Sequence, residues 1–534
     1  MVILHYLLIL IFGFFAARSF DLMIIRGRYF RRLADENRIR RVRIVPARGR
    51  ILDRQGFELA RNTVVYRDQA GKKLSRQEAL AREARGEVIK KDWQREYPLA
   101  QAAAHLTGYL TEATQEEINA SQENCPIGLG DLVGRGGIEQ EYDCQLRGRP
   151  GEELVEVDAR GEVKRRLGQR PAQPGQDIRL TIDKNWQQAV GQVLSQAEKP
   201  DLSKAVVVLD PRTGQVLALA SWPAFDPNSF TKFRREEQIQ AWLNDPQLPF
   251  LNRVIGGAYH PGSVFKMITA IAGLEAGKID AQTQVEDTGV IKIGQWQFGN
   301  WYWLEYGRKE GLVDLVKAIK RSNDIYFYKV GEWLGVEVLL DWAKRFGLGH
   351  LTGIDLPGEV SGLLPSPEWK EKTKGERWFL GNTYHLAIGQ GDLTMTPLQV
   401  AVETAVIANG GKWCRPHLNL IQKPKTKNQR DGNQDCRELG IKREHLELVK
   451  QGMIEACSPG GTGFPFFNFK PQVACKTGTA EVGDGTDETH AWFTLFYPTD
   501  QPRVVITVLV ERGGSGAYVA APIARQLIET YQTY

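Results

Sequence analysis

His260-Pro261-Gly262-Ser263-Val264-Phe265-Lys266-Met267-Ile268-Thr269-Ala270-Ile271-Ala272 is the stretch from which this chain is best read. Pro261-Gly262 is start punctuation, and the apolar run after Lys266 predicts a helix over 263–276. Ser263 and Lys266, three residues apart, then face the same side. A serine hydroxyl is a weak nucleophile that needs a base within hydrogen-bond reach. Only eight histidines occur in 534 residues, and none stands in a recognisable Ser-His-Asp pattern, so Lys266 is the candidate base. A lysine with its ordinary pKa of about 10.4 is almost wholly charged at neutral pH. Desolvation and a cationic neighbour must therefore lower it. The positive end of the helix would favour an oxyanion forming at Ser263.

Two further motifs follow in order, Ser322-Asn323-Asp324 and Lys476-Thr477-Gly478-Thr479. The first lies where a basic helical segment, 317–321, meets the aromatic run Tyr326-Phe327-Tyr328, and its hydroxyl could relay a proton between the lysine and a leaving amine. The second ends the apolar strand Val473-Ala474-Cys475. Its glycine permits close approach of a substrate along the strand edge, and its lysine and hydroxyls suit a carboxylate. Lys476 is the expected cationic neighbour of Lys266. A second Ser-x-x-Lys, Ser229-Phe230-Thr231-Lys232, follows Asp226-Pro227-Asn228 without an apolar helix and reads as loop.

At 534 residues the chain exceeds one ordinary core, and 42% hydrophobic with 25% charged residues is a globular composition. The net charge of +5 proposes no nucleic-acid partner. Eleven arginines crowd 26–54 against Asp35, Glu36 and Asp53. They read as a solvated or headgroup-facing stretch, because no aromatic interleaving accompanies them. The six cysteines have no Cys-x-x-Cys spacing, which disfavours zinc or thioredoxin-like sites. Free, mostly buried thiols are the default; if the body lies outside the cytoplasm, Cys125–Cys144 and Cys414–Cys436 are the pairs to test as disulfides.

Residues 2–17 are apolar apart from His5 and the Tyr6 hydroxyl, and apolar residues continue through Phe20 and 22–25. That length approaches a bilayer span of about 20 residues. Ala16-Ala17 could mimic a cleavage site, but no basic region precedes the apolar run. The arginines that follow would hold the body inside by the positive-inside rule, yet large domains translocate regardless of local charge. The catalytic motifs decide the orientation in favour of the outside.

Beyond the span, a basic helix to about Arg43 precedes the turn-rich stretch 46–56, and residues 70–95 read as polar surface helix or loop. Pro171-Ala172-Gln173-Pro174-Gly175 is the expected linker, which divides the chain into an anchor (1–25), a membrane-proximal domain (26–170) and a catalytic domain (171–534). In the last, strands are expected at 177–182, 205–209, 216–221, 473–479, 491–496 and 504–510. Helices are expected at 184–197, 312–334, 396–408 and 521–531, and 423–437 reads as an exposed loop. Strands at both ends with helices between predict an α/β domain whose terminal segments pair in one antiparallel sheet.

Ser-x-x-Lys, a serine triplet and Lys-Thr-Gly together resemble the signature of penicillin-binding proteins and class A β-lactamases. From about residue 35 to the end, the chain resembles class B penicillin-binding proteins, and within them the elongation type, penicillin-binding protein 2. The resemblance is carried by Arg48-Gly49-Arg50-Ile51-Leu52-Asp53-Arg54, Gly136-Gly137-Ile138-Glu139 and Val155-Glu156-Val157-Asp158-Ala159-Arg160-Gly161. Leu251-Asn252-Arg253, Gly389-Gln390-Gly391, Thr396-Pro397-Leu398-Gln399 and His490-Ala491-Trp492-Phe493 extend it. The Asn-Arg and His-Ala-Trp-Phe elements favour the elongation over the division type.

The resemblance implies a transpeptidase fold: a five-stranded antiparallel sheet flanked by helices, an all-helical subdomain, a mostly β pedestal and one transmembrane helix. It implies a D,D-transpeptidase at the bacterial inner membrane, with its body extracytoplasmic. Ser263 would attack the D-alanyl-D-alanine bond of a peptidoglycan stem peptide, and the amine of a neighbouring stem would take the acyl group. The N–H groups of Ser263 and Thr479 would form the oxyanion hole. Lys266, Ser322 and Asp324 complete the implied catalytic set, while Lys476, Thr477, Gly478 and Thr479 bind substrate. β-Lactams are the implied inhibitors, no cofactor is implied, and a membrane-embedded glycan polymerase of the shape, elongation, division and sporulation family is the implied partner.

Three departures stand out. The triplet ends in Asp324 where the general signature has asparagine. Residues 64–104 are short, which implies a missing subdomain. Some elongation-type relatives bind a metal through a cysteine in the middle of the triplet; here that residue is Asn323 and no His/Cys cluster lies near, so no zinc is expected. A β-lactamase would need a water-activating group such as that of a Glu-x-x-Leu-Asn pattern, which is absent. A silent penicillin sensor or scaffold is disfavoured because the serine, the lysine and Lys-Thr-Gly are all intact. Residues 21–170 lack the acidic motifs of a glycosyltransferase.

Overall fold

The computed structural model describes residues 2–68, 70–87, 89–158, 163–231, 235–420 and 436–532. Two compact units interleave along the chain. One comprises residues 1–49, 113–131 and 144–176, and the other residues 50–112, 132–143 and 177–534.

The larger unit is organised by five strands: β1 (Lys204–Leu209), β2 (Val216–Trp222), β3 (Ala474–Glu481), β4 (Thr489–Tyr497) and β5 (Val504–Val510). They run in the order β2-β1-β5-β4-β3 with every pairing antiparallel. The first and last strands of the domain thus meet in one sheet, as the sequence predicts. All seven residues of β5 are buried, as required of a strand covered on both faces.

Helices α1 (Lys184–Gln196) and α7 (Ala521–Tyr531) lie on one face, where Trp186, Val190 and Leu527 pack with Val206, Phe493 and Ile506. Each such side chain contributes about 1.5–3 kcal/mol on burial. The other helices that matter here are α2 (Lys266–Glu275), α3 (Leu315–Arg321), α4 (Asp324–Arg345, interrupted at Gly335), α5 (Pro397–Ala408) and α6 (Arg443–Ala456). Helix α5 is joined to the sheet by a hydroxyl ladder, Thr404 to Thr494 to Thr507, both links 2.8 Å.

Several expectations are corrected. The helix expected over 312–334 breaks at Ser322, whose left-handed backbone (φ +54°) ends α3, and Asn323 caps α4 through Tyr326 N–H. The helix at Ser263 begins as a 3-10 turn, Gly262–Val264, and becomes α-helical only at Lys266. Only Ile178–Arg179 of the first expected strand forms, parallel to Ile51–Leu52. Residues 90–96 form a strand against 61–67. Of the expected loop, 423–435 lie outside the described residues, and Cys436–Glu438 is a strand.

In the smaller unit, Val2–Phe20 is an α-helix continued by the π-turn Asp21–Ile25. Residues 3–25 are long and apolar enough to cross a membrane. The basic helix ends at Arg38, and Ile39–Ile44 is a strand rather than its continuation. It pairs with Gly151–Val157, whose other neighbour is Val163–Arg170. The middle strand carries Glu152, Glu153 and Glu156, which pair with Arg170, Arg166, Arg38 and Arg165. Of these arginines only Arg38 belongs to the 26–54 stretch; the others lie on the neighbouring strand Val163–Arg170.

All six cysteines are paired. This corrects the default of free thiols: Cys125–Cys144 and Cys414–Cys436, the two pairs singled out for testing, are both bonded, and Cys457–Cys475 is a third bond not anticipated.

Candidate active site

The three motifs converge at the β3 edge. Among the described residues β3 pairs with β4 alone, which makes it an edge strand of the sheet. The 3-10 turn carrying Ser263 is pressed against this strand. A β-carbon at Gly262 (φ +57°) would sit 2.8 Å from the Thr479 carbonyl oxygen, and one at Gly478 would sit 2.9 Å from Trp492 Cβ and 3.1 Å from the Pro261 carbonyl oxygen. Gly478 therefore permits a close approach of the protein's own backbone, before any substrate is considered. The turn is also held by Gly262 N–H to the Gly389 carbonyl (2.8 Å) and by the Trp492 indole N–H to the His260 carbonyl (2.9 Å).

Lys266 and Lys476 are both fully buried. The Lys266 ammonium donates to Asp324 Oδ1 at 2.7 Å, to the Ser322 carbonyl at 2.8 Å and to Ser322 Oγ at 3.4 Å. Lys476 donates to the same Ser322 Oγ at 2.8 Å and to the Thr477 carbonyl at 2.7 Å. One hydroxyl thus bridges two amines in the line Lys476–Ser322–Lys266–Asp324. Asp324 is oriented by Trp301 N–H on Oδ2 (3.0 Å), and Thr477 Oγ1 donates to Thr462 Oγ1 (2.8 Å). Ser263 is half-buried, and no hydrogen bond to its Oγ occurs among the described residues.

Burial pushes Lys266 below the ordinary lysine range, while the Asp324 carboxylate pulls the other way. Burial and then the Lys266 charge hold Lys476 well below it, again against Asp324. The expected direction between the two amines is thus reversed. Lys266 owns the carboxylate contact, and it is Lys476 that feels a cationic neighbour, while burial alone lowers Lys266.

All eight sequence-predicted site residues lie at this junction of α2, the α3–α4 break and β3. The sequence reading missed Asn300, whose Oδ1 accepts the Asp324 N–H (3.1 Å), Trp301 and Thr462. None of these stands in a recognisable motif. The competing Ser229 lies in a helical turn, Asn228–Thr231, rather than a loop, and is 1% exposed; its Lys232 lies outside the described residues.

A family model described as the penicillin binding protein transpeptidase domain matches residues 204–529, and one for the penicillin-binding protein dimerisation domain matches residues 70–180. The chain is 32% identical to the peptidoglycan D,D-transpeptidase MrdA of Escherichia coli strain K12, over 98% of this chain and 92% of that one. The penicillin-binding protein PBP2 of Helicobacter pylori, solved in complex with MreC, superposes with a TM-score of 0.78 at 28% identity, covering 93% of this chain and 99% of that one. A chain from a peptidoglycan synthase complex, solved for the structural coordination of polymerization and crosslinking, also gives 0.78 at 28% identity, covering 99% and 97%.

Proposed function

The chain belongs to the penicillin-binding protein transpeptidase family, and from that premise we propose that it cross-links peptidoglycan stem peptides as a D,D-transpeptidase of the elongation type. The observation that carries the site assignment is the bridge of Ser322 Oγ between two buried lysines.

Ser263 Oγ attacks the penultimate D-alanyl carbonyl carbon. An ester forms, the C–N bond breaks and D-alanine leaves. The proton lost by Ser263 passes to Lys266, which returns it to Ser322 Oγ as Ser322 hands its own hydroxyl proton to the departing amine. In the second half the acceptor amine attacks the ester and the same groups run in reverse. The Lys476-Thr477-Gly478-Thr479 segment receives the substrate carboxylate, with the exposed Thr479 hydroxyl foremost, and the free edge of β3 lets the extended stem add as a further strand. The N–H groups of Ser263 and Thr479 serve the oxyanion. β-Lactams acylate the same serine.

Three disulfides support an oxidising, extracytoplasmic setting for the body, with residues 1–25 as its anchor. Residues 26–170 act as a pedestal to the catalytic domain from 171 onward. The match to a chain from a peptidoglycan synthase complex, together with the absence of polymerase motifs in 21–170, supports a membrane-embedded glycan polymerase as partner. Exchanging residues 1–25 for an unrelated span should then weaken co-purification with that polymerase and slow glycan synthesis in liposomes; unchanged synthesis would contradict the partnership.

The activity itself is tested with a stem pentapeptide and an amine acceptor. The protein should release D-alanine and form the cross-linked dimer, and Ser263→Ala should do neither. Penicillin acylation without turnover of any peptide would favour the sensor reading.

A further inference from the structure

Behind the Ser322-Asn323-Asp324 break lies a buried carboxylate that the catalytic line does not use. Asp287 is 2% exposed and forms no ion pair among the described residues. It is surrounded by N–H donors instead. Oδ1 accepts from Gly289 N–H (2.8 Å), and Oδ2 accepts from Asn300 Nδ2 (2.9 Å), Asn323 Nδ2 (3.0 Å) and Glu310 N–H (3.0 Å). Asn300 and Asn323 are themselves fully buried.

Both amide orientations are determined by what their oxygens do. Asn323 Oδ1 accepts the Tyr326 N–H at 2.9 Å, and Asn300 Oδ1 accepts the Asp324 N–H at 3.1 Å. The amide N–H groups must then point at Asp287. This donor set does not fit a metal ion. A cation at this point would face amide hydrogens, and the carboxylate that should hold it already has four donors. The position where some relatives hold a metal through cysteine is here a donor, Asn323.

We propose that the Asp287–Asn300–Asn323 network is the positioning element for Ser322 and Asp324, and that it does so by hydrogen bonding alone. Three features of the geometry support it. Ser322 occupies a left-handed backbone conformation that a residue with a β-carbon adopts only when its surroundings hold it there. The next residue, Asn323, is fastened on both sides, to the α4 N-terminus and to Asp287, so the turn has one way to lie. Asn300 grips the Asp324 backbone while the adjacent Trp301 N–H grips its carboxylate. The same small hub therefore sets both the hydroxyl shared by the lysines and the carboxylate paired with Lys266. A displacement of a few tenths of an ångström at the hub would be felt at both.

The proposal rests on the transpeptidase reading, and its test keeps the two apart because the wild type must acylate in every arm. Asn323→Asp places a carboxylate against Asp287 Oδ2, now 3.0 Å from an amide nitrogen. Acylation by a fluorescent penicillin, per molecule that finally labels, should slow by about 10–100-fold at pH 8. Measured against wild type at the same pH, it should recover partly as pH falls and the two carboxyls share a proton. The reciprocal double variant Asp287→Asn/Asn323→Asp restores one acid and one amide and should return to within about fivefold of wild type. Wild-type acylation should be indifferent to EDTA. The proposal is overturned if Asn323→Asp labels at the wild-type rate, if the double variant is as slow as the single one, or if EDTA slows the wild type. Should Asn323→Asp not fold, Asn323→Ser, which shortens the donor without adding charge, is read in the same assay: several-fold slower labelling supports the hub, and the wild-type rate rejects it.

Discussion

Opposite charges are paired in both units, with different consequences. In the smaller unit, Arg38, Arg165, Arg166 and Arg170 stand 58–78% exposed beside glutamates of the middle strand. In the larger unit, Lys266 meets Asp324 with the lysine fully out of water. Exposed pairs sit in a high-dielectric, salt-screened setting and contribute little individually. Their use is in pairing: a basic strand on either side of an acidic one has a preferred register. The buried pair cannot be read as stabilising, since desolvation opposes the Coulomb gain. What burial does there is move proton affinities, and that is chemistry.

The largest effects should follow from disturbing the buried line. Lys266→Ala should slow β-lactam acylation by about 10²–10⁴-fold, the usual worth of a general base. In the wild type, acylation should decline as pH falls through a lysine pKa below the ordinary range, because protonating a lowered amine removes the base. Asp324→Asn removes the charge that pulls Lys266 upward, so this acid limb should move to lower pH. Stopped-flow acylation across pH checks both, and an Asp324→Asn limb that moves to higher pH would break the assignment.

A smaller effect is expected at a buried carboxyl. Neither carboxyl oxygen of Glu403 on α5 is hydrogen-bonded among the described residues, and burial raises its carboxyl well above the usual range. With the folded pKa above the unfolded value, its contribution to stability is fully present below about pH 4.5 and is lost as pH rises through the folded pKa. Glu403→Met should therefore stabilise the protein by about 1–3 kcal/mol at pH 8, with the gain shrinking toward pH 4. Denaturant melts at the two pH values measure it, and an equal gain at both would contradict the argument.

The smallest effect belongs to the exposed ladder. Glu153→Ala should cost about 0.2–1 kcal/mol, and the loss should diminish in molar salt. A cost comparable to that of a core truncation would mean that the ladder is more than a guide to register.

How much of this was legible follows from where the information sits. β5 is six apolar residues interrupted only by Thr507, four of them valine, and could hardly be anything else. Ser263, Lys266, Ser322 and Lys476 announce themselves because each belongs to a short motif. Ile39–Ile44 reads as helix in sequence because arginine suits helices, and its glutamate-bearing partner strand lies more than a hundred residues on. The break at Ser322 was invisible because helical patterning continues on both sides of one left-handed residue. Asp287 and Asn300 were missed because they join Asn323 only in space, and Cys457–Cys475 because spacing does not determine connectivity.

The central claim is that Ser263, served by the line Lys476–Ser322–Lys266–Asp324, is the residue that becomes acylated. Intact-protein mass spectrometry after incubation with a β-lactam tests it most directly. The wild type and Ser229→Ala should each gain the mass of one inhibitor, located by peptide mapping to Ser263, while Ser263→Ala gains none. An adduct on Ser263→Ala, or its loss from Ser229→Ala with the fold intact, would contradict the account.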